Sequence, residues 1–215
     1  MSAAAYPPEA PADCPLCPRL VAYREENRRK EPTWFNGAVA SFGDENARLL
    51  IVGLAPGRTG ANRTARPFTG DGAGVILYET LIALGLAEGR YQARPDDGLT
   101  LIDCMITNAV RCAPPGNKPL PVEERTCRPF LMSRLAALPR LRSIVTLGDI
   151  SRKNVLAALG ARASAMAAGH GVEADIGPYR LFNSYHCSRL NTNTGRLTPE
   201  MFMDVLRRAR DHARS

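Results

Sequence analysis

Apolar runs alternate with segments of helical period along this chain. Residues 49–52, Leu-Leu-Ile-Val, are continuously apolar, as a strand covered on both faces would be. Three more segments read as strands: 99–107 (LTLIDCMIT), which is mostly apolar, 143–147 (SIVTL) and 179–185 (YRLFNSY). Between and after them the apolar positions recur at helical spacing, over 73–86, about 122–138, about 149–160 and from 199 onward. Thr198-Pro199-Glu200 is a strong start for the last helix, with Thr as cap, Pro first and an acid in the first turn. A charged helix is predicted over about 19–30. Residues 89–98 read as a polar connector and 161–178 as a short hairpin or loop. Strands alternating with helices predict an α/β fold, here a single-domain three-layer sandwich with a central four-stranded parallel sheet flanked by helices.

In such sheets ligands bind beyond the carboxyl ends of the strands. Three loops of unusual composition leave that edge, 53–71, 108–119 and 186–196, and they are predicted to meet in one cleft. The third strand runs directly into Gly148 and a helix, so that turn is expected to be structural. The first loop is long for a compact domain and therefore functional in expectation. It carries Arg58, Arg63 and Arg66 for phosphates, Phe68 as a flat stacking face and Asp71 as a lone acid. Its glycines, Gly53, Gly57, Gly60 and Gly70, permit close backbone approach to a ligand. It matches neither a GxxxxGK[ST] phosphate loop nor a GxGxxG dinucleotide fingerprint.

Composition narrows the choice. The 215 residues suit one domain, with 45% apolar and 23% charged residues. Residues 1–13, rich in Ala and Pro, are expected to be a disordered tail, leaving 14–215 as the domain. The net charge is +7, and all but three of the 28 basic residues are arginine. That balance suggests a polyanionic partner, nucleic acid first, though a compositional bias towards Arg accounts for it equally well. No apolar run approaches the roughly 18 residues of a membrane span. The first residues lack a secretory pattern, so a cytoplasmic location is expected.

Six cysteines raise the question of metal. Disulfides are not expected in a cytosolic chain. Cys14 and Cys17 form a CxxC, while Cys112 follows the second strand and Cys127 lies on the next helix. Four such thiols suit zinc or an iron–sulfur cluster, and free buried thiols remain the plain alternative. Cys104 belongs inside a strand. Asn108, ending the second strand, either presents donor and acceptor to a base edge or caps its own turn. His186, ending the fourth, either donates to a leaving group or bonds backbone. His170 and His212 carry no such signal.

Taken in order, GLAPG, RPFTGD, TNAVRCAPPGNKP, TCRPFL and HCSRLNTNTGRLT resemble the uracil-DNA glycosylase superfamily. The resemblance spans about residues 14–205 and is nearest to the family 5, B-type enzymes of bacteria and archaea. It implies that Phe68 stacks on an everted base, with Gly53 and Ala55 beside it. Asn108 then reads the pyrimidine edge, and His186 bonds the base oxygen where charge develops. Leu190 matches the wedge that enters the duplex, and Arg58, Arg63, Arg66, Arg189, Asn191 and Arg196 fall to DNA contact. Cys14, Cys17, Cys112 and Cys127 match the ligands of a structural [4Fe–4S] cluster.

One departure matters. Related families carry an acid or amide in the first motif to position water, where this chain has Leu54 and Ala55. That absence itself marks the B-type family, and Asp71 becomes the candidate to orient water. The expected activity is monofunctional excision of uracil and other deaminated bases, hypoxanthine and xanthine, by a monomer. The competing readings are a non-catalytic nucleic-acid-binding module with a structural metal, which a decayed site would also resemble, and a redox iron–sulfur protein.

Overall fold

The computed structural model describes residues 6–215. Three of the four expected strands, and the second half of the other, make up the middle of a six-stranded sheet. Strand β2 (Leu49–Gly53) pairs in parallel with β5 (Cys104–Asn108) on one side and β6 (Ser143–Leu147) on the other. Strand β8 (Tyr179–Ser184) extends the parallel set beside β6. The edges are antiparallel: β1 (Phe42–Gly43) on β5 and β7 (Glu173–Ile176) on β8. The sheet is thus mixed and wider than the expected four parallel strands. The edge strands escape the apolar pattern because β1 has two residues and β7 buries only Ile176 fully.

The expected strand over 99–107 is two elements. Strand β4 (Thr100–Leu101) pairs with β3 (Ala87–Glu88) in a separate ribbon. The break falls at Asp103, whose φ is 54°. Its carboxylate accepts from the Arg48 backbone N–H and guanidinium, at 3.1 and 2.8 Å. That local bonding outweighs the apolar run's preference to continue.

Alternation along the strands separates two cores. Leu49, Ile51, Ile106 and Val145 face α3 (Gly72–Ala83) and α7 (Pro199–Arg214). Leu50, Val52, Met105 and Ile144 face α4 (Pro121–Ala136) and α5 (Asp149–Ala158). The three-layer arrangement follows from strands apolar on both faces. Helix α7 buries Phe202, Val205, Leu206 and Ala209, a single helical stripe. Each of the three larger side chains contributes about 1.5–3 kcal/mol. The Thr198 hydroxyl accepts from the Met201 N–H at 3.2 Å, so the sequence-read cap is in place.

Residues 6–13 are not a disordered tail, and residues 1–5 lie outside the described residues. Glu9 pairs with Arg111 at 3.0 Å and Arg134 at 2.6 Å, both guanidiniums nearly fully buried. The Ala38 N–H donates to the Ala12 carbonyl at 2.9 Å, and Ala10 is buried. Two buried cations need a carboxylate, and this segment supplies it. Helix α1 (Pro18–Lys30) follows, outside the sandwich, packed through Leu20 into a third small core. No helix among the described residues is long and apolar enough to cross a membrane.

Candidate active site

The loops after β2, β5 and β8 enclose one hollow of about 550 Å³. Phe68, Asp71, Asn108 and His186 all line it, with Leu54, Ala55, Gly57 and Arg58. The Phe68 and His186 rings stack, with centroids 5.9 Å apart and planes inclined by 29°. Asn108 ends β5 directly beside Gly53 of β2. A Cβ at Gly53 would overlap both the Asn108 side-chain oxygen and the Phe68 ring, so only glycine lets the two converge. That oxygen is buried and has no hydrogen-bond partner among the described residues. An orphaned buried acceptor costs stability, of order 1–3 kcal/mol, unless a ligand answers it.

Phe68 is held in a strained conformation, φ 54°, in the left-handed region. Such a residue costs of order 1–3 kcal/mol and persists only where the surroundings impose it. Here they do. Tyr78 donates to the Pro67 carbonyl at 2.6 Å and Tyr91 to the Phe68 carbonyl at 3.1 Å. Beneath them Arg66 is paired through both guanidinium nitrogens to Asp97, at 2.7 and 2.8 Å, amid Phe42, Tyr78 and Tyr91. Arg66 is therefore a buried brace for the loop and not the phosphate contact expected from sequence.

Asp71 closes the same loop. One oxygen caps α3, accepting from the Ala73 N–H at 3.1 Å. The other sits over Gly57 and Gly60, where a Cβ would crowd it. Burial lowers the His186 pKa below its ordinary value, and the nearby Asp71 carboxylate only partly opposes this. The imidazole is thus neutral at pH 7 and able to donate from one nitrogen.

Cys14, Cys17, Cys112 and Cys127 line one small apolar cavity with Leu20, Val110 and Phe130. Burial and neighbouring thiols push Cys17 up to about 11 and Cys112 up to about 12. The Arg111 N–H points at the Cys127 Sγ, 3.3 Å away. Among the described residues no group of three or more His, Cys, Asp or Glu converges as ligands of one metal ion do. None of the four is in a disulfide.

The family model described as "Uracil DNA glycosylase superfamily" matches residues 40–210. The chain is 48% identical over 204 residues to a type-5 uracil-DNA glycosylase of Thermus thermophilus, covering 92% of each. It is 43% identical over 201 residues to the type-5 enzyme of Pyrobaculum aerophilum, covering 92% of this chain and 88% of that one. A type-4 uracil-DNA glycosylase of P. aerophilum shares 34% over 152 residues. The chain belongs to the uracil-DNA glycosylase superfamily.

Around the hollow of this uracil-DNA glycosylase fold the remaining expected residues take different places. Leu190 is 74% exposed on the short helix α6 (Arg189–Asn193). Arg189 lies across Gly72 at the rim, and Arg63 is exposed. Arg58 lines the hollow, held over the Trp34 ring at 5.0 Å and by Asn27 at 2.8 Å. Arg196 stacks on Tyr185 at 4.5 Å, beside a second hollow that Gly148 and His186 also border. Gly148, expected to be a structural turn, borders this second hollow and not the first. Asn191 is turned inward, its amide donating to the His186 carbonyl at 2.7 Å. Sequence reasoning passed over Asn117, Ser188 and Thr59 as lining residues. Asn117 had one local signal, its place in the Gly-Asn of the Pro-rich loop, where it takes a φ of 55°.

Proposed function

We propose that this protein is a monofunctional uracil-DNA glycosylase that also excises hypoxanthine and xanthine. The observation that carries the reading is the convergence of Phe68, Asn108 and His186 on one hollow, with the Asn108 oxygen unpartnered. Hydrolysis of an N-glycosidic bond places negative charge on the leaving base and oxocarbenium character on the sugar. Catalysis then rests on stabilising both fragments. An everted base slides against Phe68, and Asn108 reads its edge. Neutral His186 donates a hydrogen bond to the base oxygen as the C–N electron pair departs. Asp71 faces the sugar, favours its positive charge and holds the water that adds to the anomeric carbon. The proton this water releases neutralises the departed base anion. The products are the free base and an abasic sugar. Leu190 fills the space left in the stack, and eversion costs a few kcal/mol, least for mispaired bases. Arg58, Arg63, Arg189 and Arg196 meet phosphates. Leu54 and Ala55 offer no discriminating polar contact, which supports broad scope.

Cys14, Cys17, Cys112 and Cys127 would hold a [4Fe–4S] cluster. Four soft donors in an apolar wall that includes no carboxylate support that choice. The group, when bound, supplies structure: it ties the segment before α1 to the loop that follows Asn108 and to α4.

The test is a duplex oligonucleotide carrying a single U, hypoxanthine or xanthine, incubated with the protein and treated with alkali. Strand cleavage at the damaged position is expected for all three. Intact strands on every substrate overturn the enzyme reading.

A further inference from the structure

Tyr91 lies in the segment that the sequence presents as a mere connector. Its hydroxyl reaches two backbone atoms of the first loop. It donates to the Phe68 carbonyl at 3.1 Å and accepts from the Gly70 N–H at 3.4 Å. The ring is fixed from below. It stacks on Tyr78 with centroids 4.7 Å apart and an inclination of 26°. The Arg66 guanidinium lies 5.8 Å from its centroid, locked in turn by Asp97. Asp97 also accepts from the Gln92 N–H at 2.9 Å, the residue next to Tyr91. A Cβ at Gly74 would overlap both the Phe68 carbonyl and the Tyr91 hydroxyl. The first turn of α3, the connector and the loop therefore meet at one point, and that point sets the Phe68 peptide.

We propose that Tyr91 is a positioning residue for base excision: its hydroxyl fixes the left-handed Phe68 peptide and so the angle at which the ring faces the everted base. The proposal rests on the glycosylase reading above. Burial raises the Tyr91 pKa above its ordinary value, so the phenol stays a donor at neutral pH. Phe68 pays for its strained backbone through this bond and the neighbouring Tyr78 contact, and the connector thereby controls the slot without touching substrate.

The experiment compares wild type, Tyr91→Phe, Phe68→Ala and the double variant in single-turnover excision of U from a duplex. Tyr91→Phe keeps the stacked ring and removes only the hydroxyl. Its rate is expected to fall about tenfold, as small misplacements do, with unchanged affinity for an undamaged duplex. Added to Phe68→Ala, the same change is expected to cost nothing further, because the two act as a unit. A wild-type rate in Tyr91→Phe, or penalties that multiply independently, overturns the proposal. A second readout needs no catalysis. The chain has three histidines, and the His186 imidazole signal is identified by its loss in His186→Gln. Phe68 stacks on that imidazole, so Tyr91→Phe is expected to shift its proton resonances. Unmoved resonances overturn the positioning role even in a protein that excises nothing, which separates this failure from failure of the glycosylase reading.

Discussion

The Asn108 side-chain oxygen is buried against Gly53 with no hydrogen-bond partner among the described residues, where β2 and β5 end side by side. Backbone alone would not choose an amide there. No protein group among the described residues answers it, so its partner is whatever enters the hollow, water or base. Asn108→Ala is therefore expected to lower single-turnover excision of uracil by about 10²–10³-fold, the effect of losing one preorganised polar group. The melting temperature is expected to hold or rise, because an unmet acceptor is removed. A marked drop in melting temperature with little loss of rate would make Asn108 a structural residue.

His186 carries a pH signature with a definite sign. Burial holds its folded pKa below the ordinary value of 6.5, with Asp71 opposing. As pH falls, the unfolded imidazole takes a proton first, so the unfolded state gains. Stability is full above about pH 6.5 and is lost as pH falls through the folded pKa. His170 is also lowered by burial and adds to the same trend. Melting temperatures measured from about pH 7.5 down to 5.5 are expected to decline, and to decline less steeply in His186→Gln. Equal slopes would mean that His186 titrates alike in both states.

Much of this was legible beforehand, and the gaps have physical causes. Residues 49–52 and 143–147 announced central strands because both faces are covered, so 49–52 is wholly apolar and 143–147 mostly so. The three strand-end loops pointed to one hollow, and Phe68, Asp71, Asn108 and His186 do line it. Arg66 was misplaced because a guanidinium's partner is invisible until folding brings Asp97 to it. Glu9 was lost in an Ala/Pro-rich stretch for the same reason, its partners Arg111 and Arg134 being far along the chain. Asp103 broke an apolar run through a side-chain bond to Arg48 that no periodicity records.

Asp71 has two duties that substitution can separate. One oxygen caps α3 and the other lies by the glycines of the first loop. Asp71→Asn keeps an acceptor for the Ala73 N–H and loses the charge. It is expected to melt close to wild type while excising far more slowly. Asp71→Ala loses both and is expected to be less stable by about 0.5–2 kcal/mol, the usual cost of a missing cap. Denaturant titration of the two variants beside single-turnover rates checks the split. Equal stability in both would remove the capping role.

Arg63 and Arg66 stand three residues apart and are expected to behave oppositely. Arg63 is exposed, so Arg63→Ala should leave stability unchanged. It should flatten the dependence of log K on log salt for duplex binding by about one phosphate contact. Arg66→Ala strands the Asp97 carboxylate in the interior and should cost about 3–5 kcal/mol. Binding titrations at several salt concentrations, with melting curves, distinguish them. A changed salt slope in a folded Arg66→Lys protein would restore Arg66 to the DNA surface.

The thiol cavity makes its own prediction. Cys112 stands four residues beyond Asn108, and its partners reach it from before α1 and from α4. A cluster bound there stabilises the folded state by coupling these segments, because the ligands are far apart in the unfolded chain. Aerobically purified protein is expected to be brown, with iron and sulfide near four per chain. Cys14→Ala and Cys112→Ala are expected to lose colour and soluble yield together. A colourless protein holding one zinc would overturn the iron assignment alone. A well-folded, colourless Cys112→Ala with no excision would mean that the group serves the reaction and not the fold.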